Sequence, residues 1–321
     1  MDCNIEPMTL ELAPLHGVTN RVFRRAYFAH FAGFDRALAP FVLAVRTDRM
    51  KENHFKDFIP DAAVSVPVVP QLLGNDPEAF VESAKALASF GYSEVNWNLG
   101  CPYPMVTKKT RGSGLLPHPE RIARFLDDVC PFVQVSVKLR LGLADPEEII
   151  RLMPILNEYP LIRVIIHPRI GKQMYAGSVN LDGFERAARL CTRAVSYNGD
   201  ITDAATFGAL RRRFPFVREW MIGRWALYDP FLPGRLKGLA PVSAPLEIVR
   251  EFHDDLYESY REILCGPAHA LDKMKEVWTY IGRSIKIAPR AFEAIARAKS
   301  ADAYERAVRT VFSEGEWKGS V

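Results

Sequence analysis

Apolar residues recur along this chain in two alternating rhythms. Short runs rich in Val, Ile and Leu and bounded by Pro, Gly or Asn read as buried strands: MTLELAPL (8–15), RALAPFVL (36–43), VPVVPQLLG (66–74), SEVNWNLG (93–100), FVQVSVKLRLG (132–142), LIRVIIHPR (161–169), AVSYNGDI (194–201) and EWMIGRWAL (219–227). Between them the apolar positions return every three or four residues, the spacing of an amphipathic helix, in segments 21–31, 76–90, 118–129, 145–159, 181–191 and 203–214. Several of these open on Asp or Asp-Pro, as helix N-termini prefer. Residues 40–65 follow neither rhythm.

Strand and helix alternating eight times over about 230 residues predict a (β/α)8 TIM barrel, a fold of typically ~250 residues. A doubly wound open sheet is the alternative, but the first strand-to-helix turn, LAPLHGVTN, has no G-x-G-x-x-G. After the eighth strand Pro and Gly cluster in YDPFLPGRLKGLAPVSAPL, which reads as a linker, and from Pro245 onward only helical spacing is present. The expected organisation is a barrel over 1–240, holding the catalytic site, and a small helical domain over 241–321 packed against it.

The chain has 321 residues, 48% hydrophobic and 25% charged, which excludes disorder. Its five cysteines (Cys3, Cys101, Cys130, Cys191, Cys265) are odd in number and scattered, with no C-x-x-C, so neither a disulfide framework nor a metal site is expected. The opening MDCNIEPMTLELAP lacks a basic, apolar leader, and no apolar run approaches the roughly 20 residues that span a bilayer. A cytoplasmic protein without membrane contact is expected, and a monomer. The net charge of +4 decides nothing about partners.

In such a barrel, chemistry is built at the carboxyl ends of the strands. Here those ends read Pro14-Leu15-His16, Gln71, Asn98 with Cys101, Lys138 with Arg140, His167 with Arg169, Asn198-Gly199-Asp200 and Gly223-Arg224. Glycines after the seventh and eighth strands, with Arg224, suit a phosphate. The two glycines read equally well as plain turns. Lys138 suits a ring on which negative charge develops, as on reduced flavin, and Gln71 can donate to and accept from a heterocycle edge. Cys101, between a glycine and a proline, is either a small apolar filler or a thiol presented for chemistry.

The residues resemble the tRNA-dihydrouridine synthases, flavin enzymes that reduce uridines in transfer RNA. LAPLHGVT is similar to the family's A-P-M-x-G-V-T, and NLGCPYPMVTKKTRGSGLL to its N-x-G-C-P, V and G-[SA]-x-L-L blocks; QLLG, VSVKLRLG, IIHPRIGKQMYAG, SYNGDI and MIGRWAL follow in order. The resemblance implies that Pro14, Leu15, His16, Gln71, Lys138, His167, Asn198, Gly199, Asp200, Gly223 and Arg224 hold FMN, with NADPH as electron donor. It implies that Cys101 is the general acid, on a loop mobile enough to fold over an extruded base, and that Asn98 holds that base. Leu15, His16, Asn20, Ala39, Pro40 and Ile170 depart from the family pattern.

For the RNA, the basic segments are KKTR (Lys108, Lys109 and Arg111), the run 211–213, and the helix carrying Lys273 and Lys275. Solvated helix faces are the rival reading of those charges. Two other functions fit parts of the sequence: an FMN barrel oxidoreductase acting on a small molecule, and a non-catalytic tRNA-binding protein on an enzyme scaffold.

Overall fold

The computed structural model describes residues 8–51 and 53–319; what the sequence suggests for the first seven residues, Cys3 included, lies outside it. Ten strands form one parallel sheet: β1 (Thr9–Leu12), β2 (Arg36–Leu38), β3 (Val42–Leu43), β4 (Val68–Val69), β5 (Gln71–Leu73), β6 (Glu94–Leu99), β7 (Gln134–Gly142), β8 (Arg163–Ile170), β9 (Ala194–Asn198) and β10 (Glu219–Ile222). Their order, β3-β5-β6-β7-β8-β9-β10-β1-β2-β4, closes on itself, because β2 pairs with β4 while β3 pairs with β5. The ten strands are thus eight staves, and the sheet is the expected (β/α)8 barrel.

The second and third apolar runs, expected as single strands, are each split in two. The breaks fall at Pro40 and Pro70, which have no N–H to give a ladder. The helices that follow the staves are α1 (Arg21–His30), α2 (Pro77–Ala88), a short α3 (Pro104–Thr107), α4 (Pro119–Val129), α5 (Glu148–Asn157), α6 (Leu181–Leu190) and α7 (Ala204–Arg213). The eighth run also ends early: after Ile222, Gly223 turns the chain into α8 (Arg224–Tyr228), and α9 (Leu232–Leu236) follows. Asp229, Pro230, Leu232, Pro233 and Gly234 are buried, so the first half of the expected linker belongs to the packed body; the continuous exposed stretch is 238–243.

Strand alternation sorts the side chains. Trp97 of β6 points outward, stacked on Phe125 of α4 with ring centroids 3.9 Å apart and edge-on to Phe80 of α2. The inward side chains form layers. Lowest is an ionic floor in which Arg163 grips Glu11 at 2.6 and 2.9 Å and reaches Glu94 at 3.3 Å, while Arg36 bridges Glu11 and Glu219. Burial works against the Arg163 charge, but Glu11, Glu94 and Glu219 outweigh it and hold its pKa above the ordinary arginine range. Charges this deep are stable only when fully paired. Above the floor lie Ala13, Leu38, Val69, Ile165 and Met221. The barrel is therefore filled below and opens at the carboxyl ends of its strands.

The helices α10 (Pro245–Ile263), α11 (Pro267–Ile281), α12 (Pro289–Arg297) and α13 (Ala301–Glu314), with a small hairpin of β11 (Ile285–Lys286) and β12 (Glu316–Trp317), pack against the side of the barrel. Phe252 of α10 is the anchor, meeting Phe23, Tyr27 and Phe31 of α1. A fully buried phenylalanine of this kind contributes about 1.5–3 kcal/mol. Polar ties surround it: His30 to Asp255 at 3.2 Å, and the Tyr260 hydroxyl to Asn20 at 3.2 Å. Asn20 also caps α1, accepting from the Phe23 N–H, so its departure from the family pattern leaves the cap intact.

Candidate active site

At the open end of the barrel lies a cleft with about 870 Å³ of space, continuous with solvent. All eleven residues expected to hold the cofactor line it, together with Asn98 and Cys101. They come from seven different staves, and the closed topology is what brings them together. Phe41, Tyr103, Arg140, Tyr175 and Trp225 also line the cleft and were not among the expected ligands. Arg140 was visible at a strand end, and Phe41 and Trp225 stand in the second and eighth apolar runs; Tyr103 and Tyr175 sit in connections whose course follows from no strand or helix rhythm.

One wall is cationic. Lys138, Arg140, His167, Arg169 and Arg224 converge there, and Asp200 answers them: Arg169 reaches its carboxylate at 2.5 Å and Arg224 at 3.4 Å. Burial, then repulsion from Arg140, Lys138, Arg169 and Arg224, drives the His167 pKa well below the ordinary imidazole range. The ring is neutral, and with the Arg169 guanidinium 3.2 Å from Nε2 that nitrogen is the acceptor. Arg140 is fixed by the carbonyls of Gly100 and Ile170, both at 3.0 Å. The Ile170 departure is absorbed in the same way, since only its backbone is used, its N–H donating to Gln173 at 2.9 Å. The guanidinium carbons of Arg140 and Arg224 stand 5.5 and 4.9 Å from the Tyr175 ring centre.

Lys138 stands apart. Among the described residues its ammonium makes no hydrogen bond or ion pair. Burial, with repulsion from Arg140, lowers its pKa to about 7. A half-buried ammonium without a partner is costly and calls for an anion or an electron-rich ring beside it. With a neutral imidazole and two arginines further along the wall, the donor set fits a ligand carrying a phosphate at one end and a polarisable heterocycle at the other.

Cys101 lines the same cleft, 6% exposed, packed with Leu73, Val106 and Phe41. Burial raises the thiol pKa above its ordinary value, more than Arg140 and Lys138 lower it. The thiol therefore keeps its proton at neutral pH. Its backbone is tightly held: the N–H donates to Asn98 Oδ1 at 2.9 Å, and the carbonyl accepts from Ser113 N–H and Oγ at 3.0 and 3.1 Å. Gly112 to Leu115 are buried. The end of the loop that returns beside Cys101 is thus packed, its glycines serving close approach, while Tyr103 to Met105 and Lys108 to Lys109 are exposed. Asn98 spends its oxygen on the N–H groups of Gly100 and Cys101 and one amide hydrogen on Gln71, which makes it first a support for the thiol.

Of the departures, His16 and Pro40 line the cleft, and the His16 ring stacks on Phe41 at 4.9 Å. None of the five basic residues expected to meet substrate lines the cleft. Lys108 and Lys109 are exposed. Arg111 donates to Asn75, whose amide in turn donates to the carbonyls of Lys109 and Thr110, so it pins the loop. Lys273 donates to the Gly17 carbonyl at 2.8 Å and pairs with Glu276, tying α11 to the loop after β1. Lys275 lies 3.9 Å from Asp272. Among the described residues there is no metal-ligand cluster and no helix long and apolar enough to cross a membrane.

Residues 11–314 match the dihydrouridine synthase (Dus) family. A tRNA-dihydrouridine(16) synthase of Cupriavidus necator is 28% identical over 92% of this chain and 95% of its own. One of Ralstonia nicotianae is 29% identical over 71% and 72%. In fold, the chain is similar to the old yellow enzyme homologue of Zymomonas mobilis, with a TM-score of 0.54 at 13% identity, over 73% of this chain and 89% of that one. The chain belongs to the dihydrouridine synthase family.

Proposed function

We propose that this chain is an FMN-dependent oxidoreductase that reduces a uridine of tRNA to 5,6-dihydrouridine, with NADPH as the electron donor. The observation that carries it is the pairing, within one cleft, of a protonated thiol at Cys101 with an unpartnered ammonium at Lys138. Reduced flavin, when bound, supplies a hydride to the uracil ring. Everything else falls to side chains. His167, Arg224 and the backbone at Gly199 and Gly223 are suited to the phosphate; Lys138 and Gln71 to the ring edge, where the ammonium offsets negative charge. Cys101 donates the proton to the neighbouring uracil carbon from the opposite face, its raised pKa keeping it in the protonated form until then. Asn98 and Ser113 fix the direction of that donation by holding the Cys101 backbone. Tyr175, with Arg140 behind it, offers a flat surface to an extruded base.

The barrel and the helical region 241–321 have separate roles. The barrel holds cofactor and base, and the helices meet the body of the RNA, with Lys108 and Lys109 at the rim. A monomer suffices for this arrangement, and tRNA as substrate puts the enzyme in the cytoplasm. The test is an absorption spectrum of the purified protein, followed by mass spectrometry of tRNA treated with it and NADPH or NADH. Bound flavin and a uridine gaining two hydrogens are expected; the relatives' names make position 16 the first to map. A yellow protein that leaves tRNA unchanged would point to a small-molecule substrate. A colourless protein that binds tRNA would point to a non-catalytic role.

A further inference from the structure

Below the cleft, four buried side chains form a single line of hydrogen bonds across three staves. Asn98 Nδ2 donates to Gln71 Oε1 at 2.9 Å, Gln71 Nε2 donates to Asn96 Oδ1 at 2.8 Å, and Asn96 Nδ2 donates to Ser136 Oγ at 2.9 Å. The strand register sets the neighbours, Gln71 opposite Asn96 and Asn96 opposite Ser136. Gln71, Asn96 and Ser136 are fully buried, which shields the two links between them from bulk water.

The direction of this line is not free. Its upper end is fixed by the backbone N–H groups of Gly100 and Cys101, which can only donate, at 3.1 and 2.9 Å from Asn98 Oδ1. Asn98 must therefore turn its NH₂ to Gln71, Gln71 its NH₂ to Asn96, and Asn96 its NH₂ to the serine hydroxyl, which can accept. Reversing any one amide sets two NH₂ groups or two oxygens face to face. The acceptor that Asn96 shows to Gln71 completes this order: it holds the Gln71 amide in the orientation Asn98 requires, and with it the Asn98 oxygen under Cys101.

We propose that Asn96, which does not itself line the cleft, is a positioning residue that holds the cofactor-facing amide of Gln71 and the thiol-bearing loop of Cys101 in one fixed relation, with Ser136 as its anchor. The assignment rests on the flavin-and-thiol reading of the cleft. Its structural part stands on the hydrogen bonds alone.

Hydrogen exchange read by mass spectrometry on the whole protein tests that part without cofactor or RNA. In Asn96→Leu, the amides of Gly100 and Cys101, followed in a peptide covering 98–104, should exchange at least about tenfold faster, the change expected for losing a buried hydrogen bond. Asn96→Asp should restore slow exchange, since a carboxylate accepts from Gln71 and, once the hydroxyl rotates, from Ser136. With tRNA, Asn96→Leu should form dihydrouridine about 10²-fold more slowly while its flavin is reduced at the normal rate, and Asn96→Asp should recover most of that loss. Unchanged exchange and turnover in Asn96→Leu, or an Asn96→Asp as impaired as Asn96→Leu, would overturn the proposal. Should Asn96→Leu not fold, Ser136→Ala decides: faster exchange at the same two amides supports the line, unchanged exchange removes it. A wild-type protein without flavin or without action on tRNA would instead be a failure of the function proposed above.

Discussion

A β-carbon on Gly112 would lie 2.6 Å from the carbonyl oxygen of Cys101 and 3.0 Å from its Cβ, and the backbone at Gly112 has φ +55°. Both the space and the conformation exclude a side chain. Gly112→Ala should cost about 1–3 kcal/mol in a urea titration, the strain of a forced left-handed residue. Because the same carbonyl is held by Ser113, the displaced loop should also slow uridine reduction more than flavin reduction by NADPH, which stopped-flow kinetics separates. A variant as stable and as fast as wild type would mean that the loop yields without consequence.

The barrel was legible because strand and helix periods alternate cleanly, and the lining of the cleft was legible because a closed barrel must gather its strand ends. Three things were not. Pro40 and Pro70 break strands that apolar content alone makes continuous. The partners of a charge leave no trace in one sequence: Lys273 and Arg111 read as RNA contacts, yet one binds the Gly17 carbonyl and the other Asn75. The amide line through Asn96 depends on which residues lie opposite in register, and register is set by the whole closed sheet.

Lys138 makes a prediction about stability. Its folded pKa of about 7 lies below the roughly 10.4 of an unfolded lysine, so between these values the unfolded chain binds more protons and stability rises with pH. The cost of burying the ammonium is complete below pH 7 and fades above it. Flavin-free Lys138→Met should therefore melt a few degrees higher than flavin-free wild type at pH 6, with the gap closing as the pH approaches 10. Calorimetry across that range checks it. A gap that widens with pH would mean that the ammonium is paired.

Arg224 tests the cationic wall. Its guanidinium is only loosely committed, 3.4 Å from an Asp200 already held by Arg169, and is free to turn to a phosphate. Arg224→Ala should weaken FMN binding about 10- to 100-fold, as for one charged hydrogen bond, measured by the recovery of flavin fluorescence on dilution. Unchanged affinity would move the phosphate elsewhere along the wall.

The basic residues separate into two kinds. Lys108→Glu with Lys109→Glu changes exposed side chains, and should weaken tRNA binding and flatten its salt dependence while leaving flavin content and melting temperature alone. Lys273→Glu breaks the tie to Gly17 and places a second acid beside Glu276, so it should lower the melting temperature as well. Binding titrations at several salt concentrations, beside melting curves, distinguish them. Equal melting temperatures would return Lys273 to the free RNA contacts.

Cys101 joins two roles that a single substitution can separate. Packed against Leu73 and Val106, it fills space, so Cys101→Ala should cost on the order of 1 kcal/mol. As proton donor it should cost far more in rate, about 10²- to 10⁴-fold in dihydrouridine formation, with flavin reduction by NADPH preserved. Burial raises the thiol pKa, so the protonated form needed for donation persists as the pH passes the ordinary thiol value of roughly 8.5. Single-turnover uridine reduction in the wild type should accordingly stay level through neutral pH and fall only above that value, and the residual rate of Cys101→Ala should not show this fall. A wild-type rate that falls already near pH 7, or an alanine variant that keeps its turnover while losing stability, would leave the thiol as a packing residue.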